Sequence, residues 1–214
     1  GRLSYNYQNK YFLEGSFRRD GSSRFAQDVR WGNFYSVGGA WVVSKEKFLE
    51  NSSVISNLRF KGSYGELGNN RTFYVGGTKN GEVNYFPYIL GYETGWNNLG
   101  QTGVLLGSVV DPNLTWESMK QTDIGLDFTL FNHFNVNFDV YKKLSDNFLF
   151  QYPLPDYLTG GSSWNGGIDS PYFNMGQVEN RGFDLTMSYG TKNAEGFNWN
   201  STLVMSHNQN KLLK

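Results

Sequence analysis

The sequence predicts an all-β protein whose strands form an antiparallel transmembrane β-barrel. Three observations predict this class: eight segments alternate between apolar and polar side chains, aromatic residues make up 17% of the chain, and short and long connections follow one another in turn. Aromatic side chains favour strands, and a side-chain period of two places successive residues on opposite faces of a sheet.

Composition excludes several other classes. The 214 residues contain no stretch near the roughly 18 consecutive apolar residues that a membrane-spanning helix requires, and the mean hydropathy is −0.52. Equal numbers of basic and acidic side chains, 19 of each, argue against a nucleic-acid-binding protein. Without cysteine there is no disulfide framework and no thiolate metal site, and no motif indicates a metal or another cofactor.

The eight predicted strands follow from the alternation. In the first four, aromatic, aliphatic or glycine residues alternate with mostly small or charged ones: Leu3–Tyr7, Tyr11–Phe17, Trp31–Val43 and Leu58–Tyr64. In the last four, apolar residues alternate mostly with Asp, Asn, Ser and Thr, which suits a water-filled lumen: Ile124–Leu130, Phe134–Val140, Phe183–Tyr189 and Phe197–Met205. Helical spacing occurs at Ser44–Ile55, where Ser44 is placed to cap one or two short turns.

Alternation alone does not distinguish a membrane barrel from a soluble sandwich. The predicted strands reach about nine to eleven residues, which matches tilted membrane-spanning strands. Their polar faces carry few Lys and Glu residues, and aromatic side chains such as Tyr11, Trp31 and Trp199 cluster near strand ends. These features favour the barrel, because aromatic girdles mark both of its membrane interfaces.

The connections fall into two sets when every second one is taken. One set is short or compact: Gln8–Lys10, Ser44–Asn57, Phe131–His133 and Gly190–Gly196. The other set contains the medium connection Asp20–Arg30 and the two longest ones, Gly65–Thr115 and Pro153–Asn174. Outer-membrane barrels have short periplasmic turns and longer extracellular loops, so the second set is expected outside the cell.

Several longer strings carry a resemblance to a family. They are RRDGSSRF at Arg18–Phe25, RWG at Arg30–Gly32 and SYGELGN at Ser63–Asn69, followed by DPNLTWESMKQTDIGLDFTLFN, VYKKLSDNFL, YPLP and GQVENRGFDL. In this order they resemble the SusC/RagA-like TonB-dependent outer-membrane transporters. The resemblance covers the chain apart from Arg71–Val110 and part of Leu158–Phe173.

The resemblance implies a barrel of about 22 strands in the bacterial outer membrane, of which the eight strands are an arc. It also implies an N-terminal plug, energy from TonB with ExbB and ExbD, and a SusD-like surface lipoprotein over the barrel. The expected cargo is an oligosaccharide or a peptide, with no enzymatic activity. Residues 1–214 are then expected to be a partial barrel domain, with the plug before Gly1 and the closing strands after Lys214. Lipopolysaccharide and other outer-membrane lipid would surround it.

Two alternatives remain open. A SusC-like barrel can serve as a structural subunit of a larger outer-membrane assembly. An eight-stranded barrel complete in itself, or a membrane-embedded enzyme, would need an aromatic terminal strand. Asp123, Asp127, Asp139 and Asp184 share the lumen phase, where carboxylates can serve hydrolysis or simply form a hydrated wall. The Ser44–Lys47 string fits the S-x-x-K pattern, but its partner motifs are missing.

The candidate contact residues lie in the long connections. Four arginines frame Asp20–Arg30 and are expected to bind lipopolysaccharide phosphates or an anionic cargo, or else to pair internally with Asp20, Asp28 and carbonyls: Arg18, Arg19, Arg24 and Arg30. Of these, Arg18, Arg24 and Arg30 are the candidate site residues. Aromatic residues of the two longest loops are expected to stack on sugar rings or contact a partner, or else to pack within their loops: Tyr85, Tyr88, Tyr92, Trp96 and Trp164. We expect Gly65–Thr115 to be ordered by neighbouring loops or by a partner chain.

Overall fold

The computed structural model describes residues 1–73, 81–152, 154–161, 167–168, 170–191 and 196–213. In these ranges the strands are β1 (Arg2–Tyr7), β2 (Tyr11–Gly21), β3 (Trp31–Val42), β4 (Ile55–Asn69), β5 (Tyr92–Asn98), β6 (Gln101–Leu106), β7 (Glu117–Leu130), β8 (Phe134–Asp146), β9 (Leu149–Gln151), β10 (Tyr172–Asn174), β11 (Gln177–Gly190) and β12 (Asn200–Leu212). A 3₁₀ turn covers Val43–Lys45, and α1 covers Asp156–Thr159. No helix among these residues is long and apolar enough to cross a membrane.

The main sheet has eight strands in the order β1-β2-β3-β4-β7-β8-β11-β12, and every neighbouring pair is antiparallel. This confirms the predicted all-β class and its eight-strand arc. β5 pairs with β6, and β9 pairs with β10, as two small sheets within the long connections. β1 and β12 are not paired with each other, so the arc is open.

The register separates the main sheet into two faces. One row of directly paired residues is apolar and crosses four strands: Phe60, Leu126, Phe138 and Leu185. The neighbouring row, one residue along each strand, consists of Lys61, Gly125, Asp139 and Asp184. Asp127 lies on this second face too, opposite Arg59. The predicted separation of the carboxylates from the apolar side chains is therefore confirmed.

The apolar face is exposed rather than covered. Ile124 is 64% exposed and Leu203 is 51% exposed, although both lie within long, regularly paired strands. By contrast, Phe25 and Leu114 are fully buried, and both lie in connections between strands. A large, exposed apolar surface with no core beneath it needs lipid or protein to cover it.

The connections alternate between the two ends of the sheet. The short-turn end, as we call it, carries the links β1–β2, β3–β4, β7–β8 and β11–β12. The long-loop end carries the links β2–β3, β4–β7 and β8–β11, at residues 22–30, 70–116 and 147–176. The predicted alternation of the connections between two ends is therefore what the topology shows, and the two longest connections share one end. The division by length is not complete, because the β3–β4 link at residues 43–54 is longer than the β2–β3 link at residues 22–30.

Several predicted boundaries are wrong. Val42, not Ser44, is the N-cap of the turn after β3, and Ser44 lies inside that turn, which the Glu46 N–H closes on the Val43 carbonyl. The last strand begins at Asn200 rather than at Phe197, because Thr191 and Trp199 bond to each other across the preceding link. β4 and β7 both extend well beyond the predicted strands, since they stay paired from Asn69 and Glu117 onward.

Candidate functional site at the long-loop end

A compact aromatic cluster lies at the long-loop end. Trp116, which precedes β7, packs against Phe25 of the β2–β3 connection, with 5.6 Å between ring centroids. It also meets Phe34 of β3 edge-on at 5.3 Å. Phe25 is fully buried and Phe34 is 5% exposed, so the cluster forms a small apolar core outside the sheet. The strings RRDGSSRF and DPNLTWE, nearly ninety positions apart, therefore meet in one place.

Two glycines make room for this cluster. A Cβ atom at Gly68 or at Gly32 would overlap the ring of Phe34. Gly32 belongs to the RWG string, and Gly68 belongs to SYGELGN. Sequence reasoning identified both strings but not their common contact with Phe34. Nothing in either string shows which aromatic ring will pack against its glycine.

Hydrogen bonds tie the three long connections together at the same place. The Trp116 indole N–H donates to the Arg30 carbonyl at 2.9 Å, and the Thr115 hydroxyl donates to the Val29 carbonyl at 2.9 Å. Asn174, the last residue of β10 in the third connection, accepts from the Thr115 N–H at 2.7 Å and donates to its carbonyl at 2.9 Å. This reciprocal pair leaves Thr115 fully satisfied and fixes the loops relative to one another.

The three candidate arginines all lie near this cluster, but their surroundings differ. Arg18 forms an ion pair with Asp20 at 2.7 Å and lies over the Phe34 ring. Arg24 donates to the Asn70 carbonyl at 2.8 Å. Arg30 has a buried Nε with no hydrogen-bond partner within the described ranges. Arg18 and Arg24 thus make the kind of internal contact that the sequence left open as an alternative.

The candidate aromatic residues lie around the β5–β6 hairpin and the segment before it. Tyr85 is 57% exposed and Tyr92 is 66% exposed, whereas Tyr88 and Trp96 are half-buried. Tyr85 also receives the guanidinium of Arg24 at 5.4 Å from its ring centroid, which links this surface to the cluster. Trp164 lies outside the described residues.

The same surface includes further exposed aromatic and aliphatic neighbours: Phe86, Ile89, Leu90, Val104 and Leu105. Together with Tyr85 and Tyr92 we call these exposed residues the loop surface. Val104 and Leu105 are consecutive in β6, so this surface includes both faces of the hairpin. Its exposure shows that packing on neighbouring loops covers only part of the Gly65–Thr115 segment, within the residues described. An apolar patch of this kind typically marks a contact surface.

A second site lies on the polar face of the sheet. Asp127 accepts from Arg59 Nε at 2.9 Å and pairs with Lys61 Nζ at 3.1 Å. Lys61 Nζ also lies 2.9 Å from a carboxylate oxygen of Asp139. Both carboxylates are therefore held by cations, an arrangement that suits a rigid wall better than acid–base hydrolysis. Arg59 and Lys61 were not predicted as partners, although their polar phase on β4 was a usable signal.

A third arrangement lies at the short-turn end. The Glu46 carboxylate accepts from the Tyr11 hydroxyl at 2.6 Å and from the Trp41 indole at 3.2 Å, and it pairs with Lys10 at 3.4 Å. The hydrogen bond from Tyr11, followed by that from Trp41, lowers the pKa of Glu46 below its ordinary value. The Ser44–Lys47 string thus supplies an anchor for aromatic side chains at the end of the sheet.

This chain is similar to several known proteins. The family described as TonB dependent receptor-like, beta-barrel matches residues 1–211. TonB-dependent receptor P26 of Formosa agariphila is 33% identical over 219 residues, and TonB-dependent receptor SusC of Bacteroides thetaiotaomicron is 28% identical over 218 residues. Each alignment covers 100% of this chain and 20% of the relative. The chain thus spans about a fifth of the length of these relatives.

Solved structures agree with these relatives. The RagAB peptide importer in its closed-closed state has a TM-score of 0.79 and 26% identity to this chain, covering 99% of it and 21% of the solved chain. The open-open state gives the same TM-score and identity, with 100% of this chain covered.

Proposed function

This chain belongs to the TonB dependent receptor-like β-barrel family, and we propose that it forms part of the barrel wall of an outer-membrane importer of oligosaccharides or peptides. The observation that carries the proposal is the open eight-stranded arc with one exposed apolar face and one charged face. Its likeness to the RagAB peptide importer over 99% of the chain supports the same conclusion. Residues 1–214 are, in this proposal, one portion of the barrel domain of a longer protein that also has a plug.

The two faces give the orientation. The apolar face meets lipid, because a charged side chain in the hydrocarbon is costly, and the face with Asp127 and Asp139 lines the lumen. The long-loop end is extracellular and the short-turn end is periplasmic. Tyr11 and Trp41, stacked with 6.4 Å between their centroids, then lie at the periplasmic interface.

The lumen wall needs no covalent chemistry for this function. Its ion pairs between Arg59, Lys61, Asp127 and Asp139 cross three strands and hold their register. A hydrated, charged wall suits the passage of a polar cargo and contact with a plug. Import itself draws on TonB, ExbB and ExbD through the remainder of the protein.

The loop surface is the proposed contact for a SusD-like lipoprotein or for the cargo that it delivers. Tyr85, Tyr88, Tyr92 and Trp96 supply flat aromatic faces, which stack on sugar rings and anchor protein contacts. Trp164 is proposed from the sequence as a further contact residue. Arg18, Arg24 and Arg30, which lie near the aromatic cluster, are proposed to meet carboxylates of a partner or an anionic cargo in place of their internal contacts.

The hairpin offers a clean test. The Gly107 N–H bonds to the Gly91 carbonyl at 2.9 Å, so the two ends of the β5–β6 hairpin are already adjacent. Excision of residues 92–106 from the full-length protein is expected to leave barrel assembly intact, shown by heat-modifiable mobility on a gel. Uptake of labelled oligosaccharide or peptide, or retention of the lipoprotein on purification, is expected to fall at least severalfold.

Two results would overturn parts of this proposal. Unchanged uptake and unchanged co-purification after the excision would remove the β5–β6 hairpin, with Tyr92 and Trp96, from the contact. An intact full-length protein that takes up neither class of cargo, with or without TonB, would favour a scaffold within a larger assembly.

A further inference from the structure

The apolar face changes character at a regular distance from the short-turn end. On β2, β8 and β11 an aromatic residue near that end is followed, eight positions away along the same face, by a cation: Tyr11 by Arg19, Phe134 by Lys142, and Tyr189 by Arg181. Eight residues of antiparallel strand extend about 27 Å, and a tilt near 40° reduces this to about 20 Å across a membrane. The spacing matches an apolar band bounded by two interfaces.

The register shows that these cations share the face of the apolar band. Lys142 pairs directly with Arg181, in the row that follows Ile124, Val140 and Phe183. Arg19 lies on the same face of β2 as Tyr11, which pairs with Trp41, whereas Arg18 lies on the opposite face. The cations therefore point to the lipid side, at the level where the strands leave the hydrocarbon.

Two of these cations, Arg19 and Arg181, form no ion pair within 4 Å among the described residues, although Arg181 lies on the same face as Glu179, two positions away. The Arg181 guanidinium donates to the neutral Gln209 side chain at 3.1 and 3.0 Å, and Arg19 lies over the Trp31 ring at 5.1 Å. Lys142 pairs with Glu179 at 2.8 Å. On this face near the long-loop end, cations exceed carboxylates: Arg19, Lys120, Lys142, Arg181 and Lys211 against Glu66, Asp146 and Glu179.

Aromatic rings beside Arg19 add a second feature. Trp31 is 55% exposed and Tyr35 is 47% exposed, and both lie on the lipid side of β3. A cation next to flat exposed rings suits a phosphate carried on a sugar, because guanidinium binds the phosphate while the ring packs against the sugar. A phospholipid headgroup would use the cations but not the rings.

We propose that Arg19, Lys142 and Arg181 form a binding girdle for the phosphate groups of lipopolysaccharide, with Trp31 and Tyr35 against its sugar rings. This inference rests on the proposed outer-membrane orientation, and it extends phosphate binding from Arg19, beside the Asp20–Arg30 connection, to Lys142 and Arg181 on two other strands. Long basic side chains at an interface keep their stems along apolar surface and their charges at the headgroups. Each such cation strengthens association with an anionic surface about fivefold.

The test uses the full-length protein, purified in detergent from outer membranes, with bound lipopolysaccharide measured by mass spectrometry. The triple variant Arg19→Gln/Lys142→Gln/Arg181→Gln is expected to retain at least about fivefold less lipopolysaccharide than the wild type. Lys143→Gln is the matched control, because Lys143 is the neighbour of Lys142 on the lumen side. Heat-modifiable mobility on a gel verifies that each barrel is closed. If the triple variant does not assemble, the single variant Arg181→Gln replaces it, with a smaller expected loss of lipopolysaccharide.

The outcomes separate this inference from the proposed function. Equal lipopolysaccharide on the wild type and on the closed variant, or an equal loss in Lys143→Gln, would overturn the girdle alone. Loss of phosphatidylglycerol in place of lipopolysaccharide would also overturn it. A wild-type protein absent from the outer-membrane fraction would overturn both.

Discussion

The indole N–H of Trp116 donates to the carbonyl oxygen of Arg30 across 2.9 Å, and this bond joins two connections that are far apart in the chain. The same indole ring packs on Phe25 and Phe34. A single side chain thus links the beginning of β7 to the hairpin of β2 and β3. The rigid part of the long-loop end depends on this packing, and the exposed loop surface is attached to it through Arg24 and Tyr85.

Substitution of Gly68 by alanine should destabilise the long-loop end. The added Cβ overlaps the Phe34 ring, so the ring must leave its packed position, at a cost of about 1–3 kcal/mol. Limited proteolysis of the full-length protein should then cut the long connections sooner than in the wild type. Gly62→Ala on the same strand is the control, since its nearest neighbour would be 3.7 Å away. Equal cleavage of both variants would contradict the assigned role of Phe34.

Replacement of Asn174 by alanine should loosen the junction of the three connections. It removes an acceptor for the Thr115 N–H and a donor to the Thr115 carbonyl, and the unpaired groups cost about 1–3 kcal/mol in total. Hydrogen–deuterium exchange at Thr115 and in residues 22–30 should become faster. Asn113→Ala, on the exposed turn of the same segment, should leave exchange there unchanged.

Truncation of Asp127 to alanine should weaken the wall. Asp127 is 8% exposed and holds both Arg59 and Lys61, so its removal leaves two close cations without their shared carboxylate. The expected cost is about 1–3 kcal/mol, because both cations remain partly exposed to water and Lys61 keeps Asp139, and it is read as a lower temperature of barrel unfolding on a gel. Asp184→Ala is the comparison, because Asp184 is exposed and makes no ion pair among the described residues. A shift of equal size in both variants would argue against a structural network.

Much of the sheet was predictable because its information is local. The side-chain period of two fixes which residues share a face, so Asp127, Asp139 and Asp184 could be placed opposite Ile124 without knowledge of the partners. The ends of the strands were harder to predict from the sequence. Beyond Tyr64 the residues Glu66 and Gly68 no longer read as apolar, yet β4 remains paired there with β7.

The candidate site was predictable in position but not in contacts. The aromatic and arginine-rich connections were correctly expected at one end. In an antiparallel sheet, successive connections lie at opposite ends in turn, so every second one shares an end. That Gly32 and Gly68 both receive Phe34 depends on three-dimensional packing between segments more than thirty positions apart. The β5–β6 hairpin was also missed, because its turn places Leu99 at a positive φ of 51°. That conformation is uncommon for leucine, so the residue type gave no signal for a turn.

The Glu46 anchor should make stability depend on pH. Hydrogen bonds from Tyr11 and Trp41 keep the pKa of Glu46 below its ordinary value in the folded protein. The stabilisation is therefore complete above the pKa of an unfolded-chain glutamate, and it is lost as the pH falls through the lower, folded pKa. Wild-type and Glu46→Gln proteins should differ in unfolding temperature at neutral pH, and the difference should shrink on acidification. Glu50→Gln, one helical turn further along the exposed link, should show no such trend. A difference that stays constant down to pH values well below the glutamate range would show that packing of Glu46, rather than its charge, holds Tyr11 and Trp41.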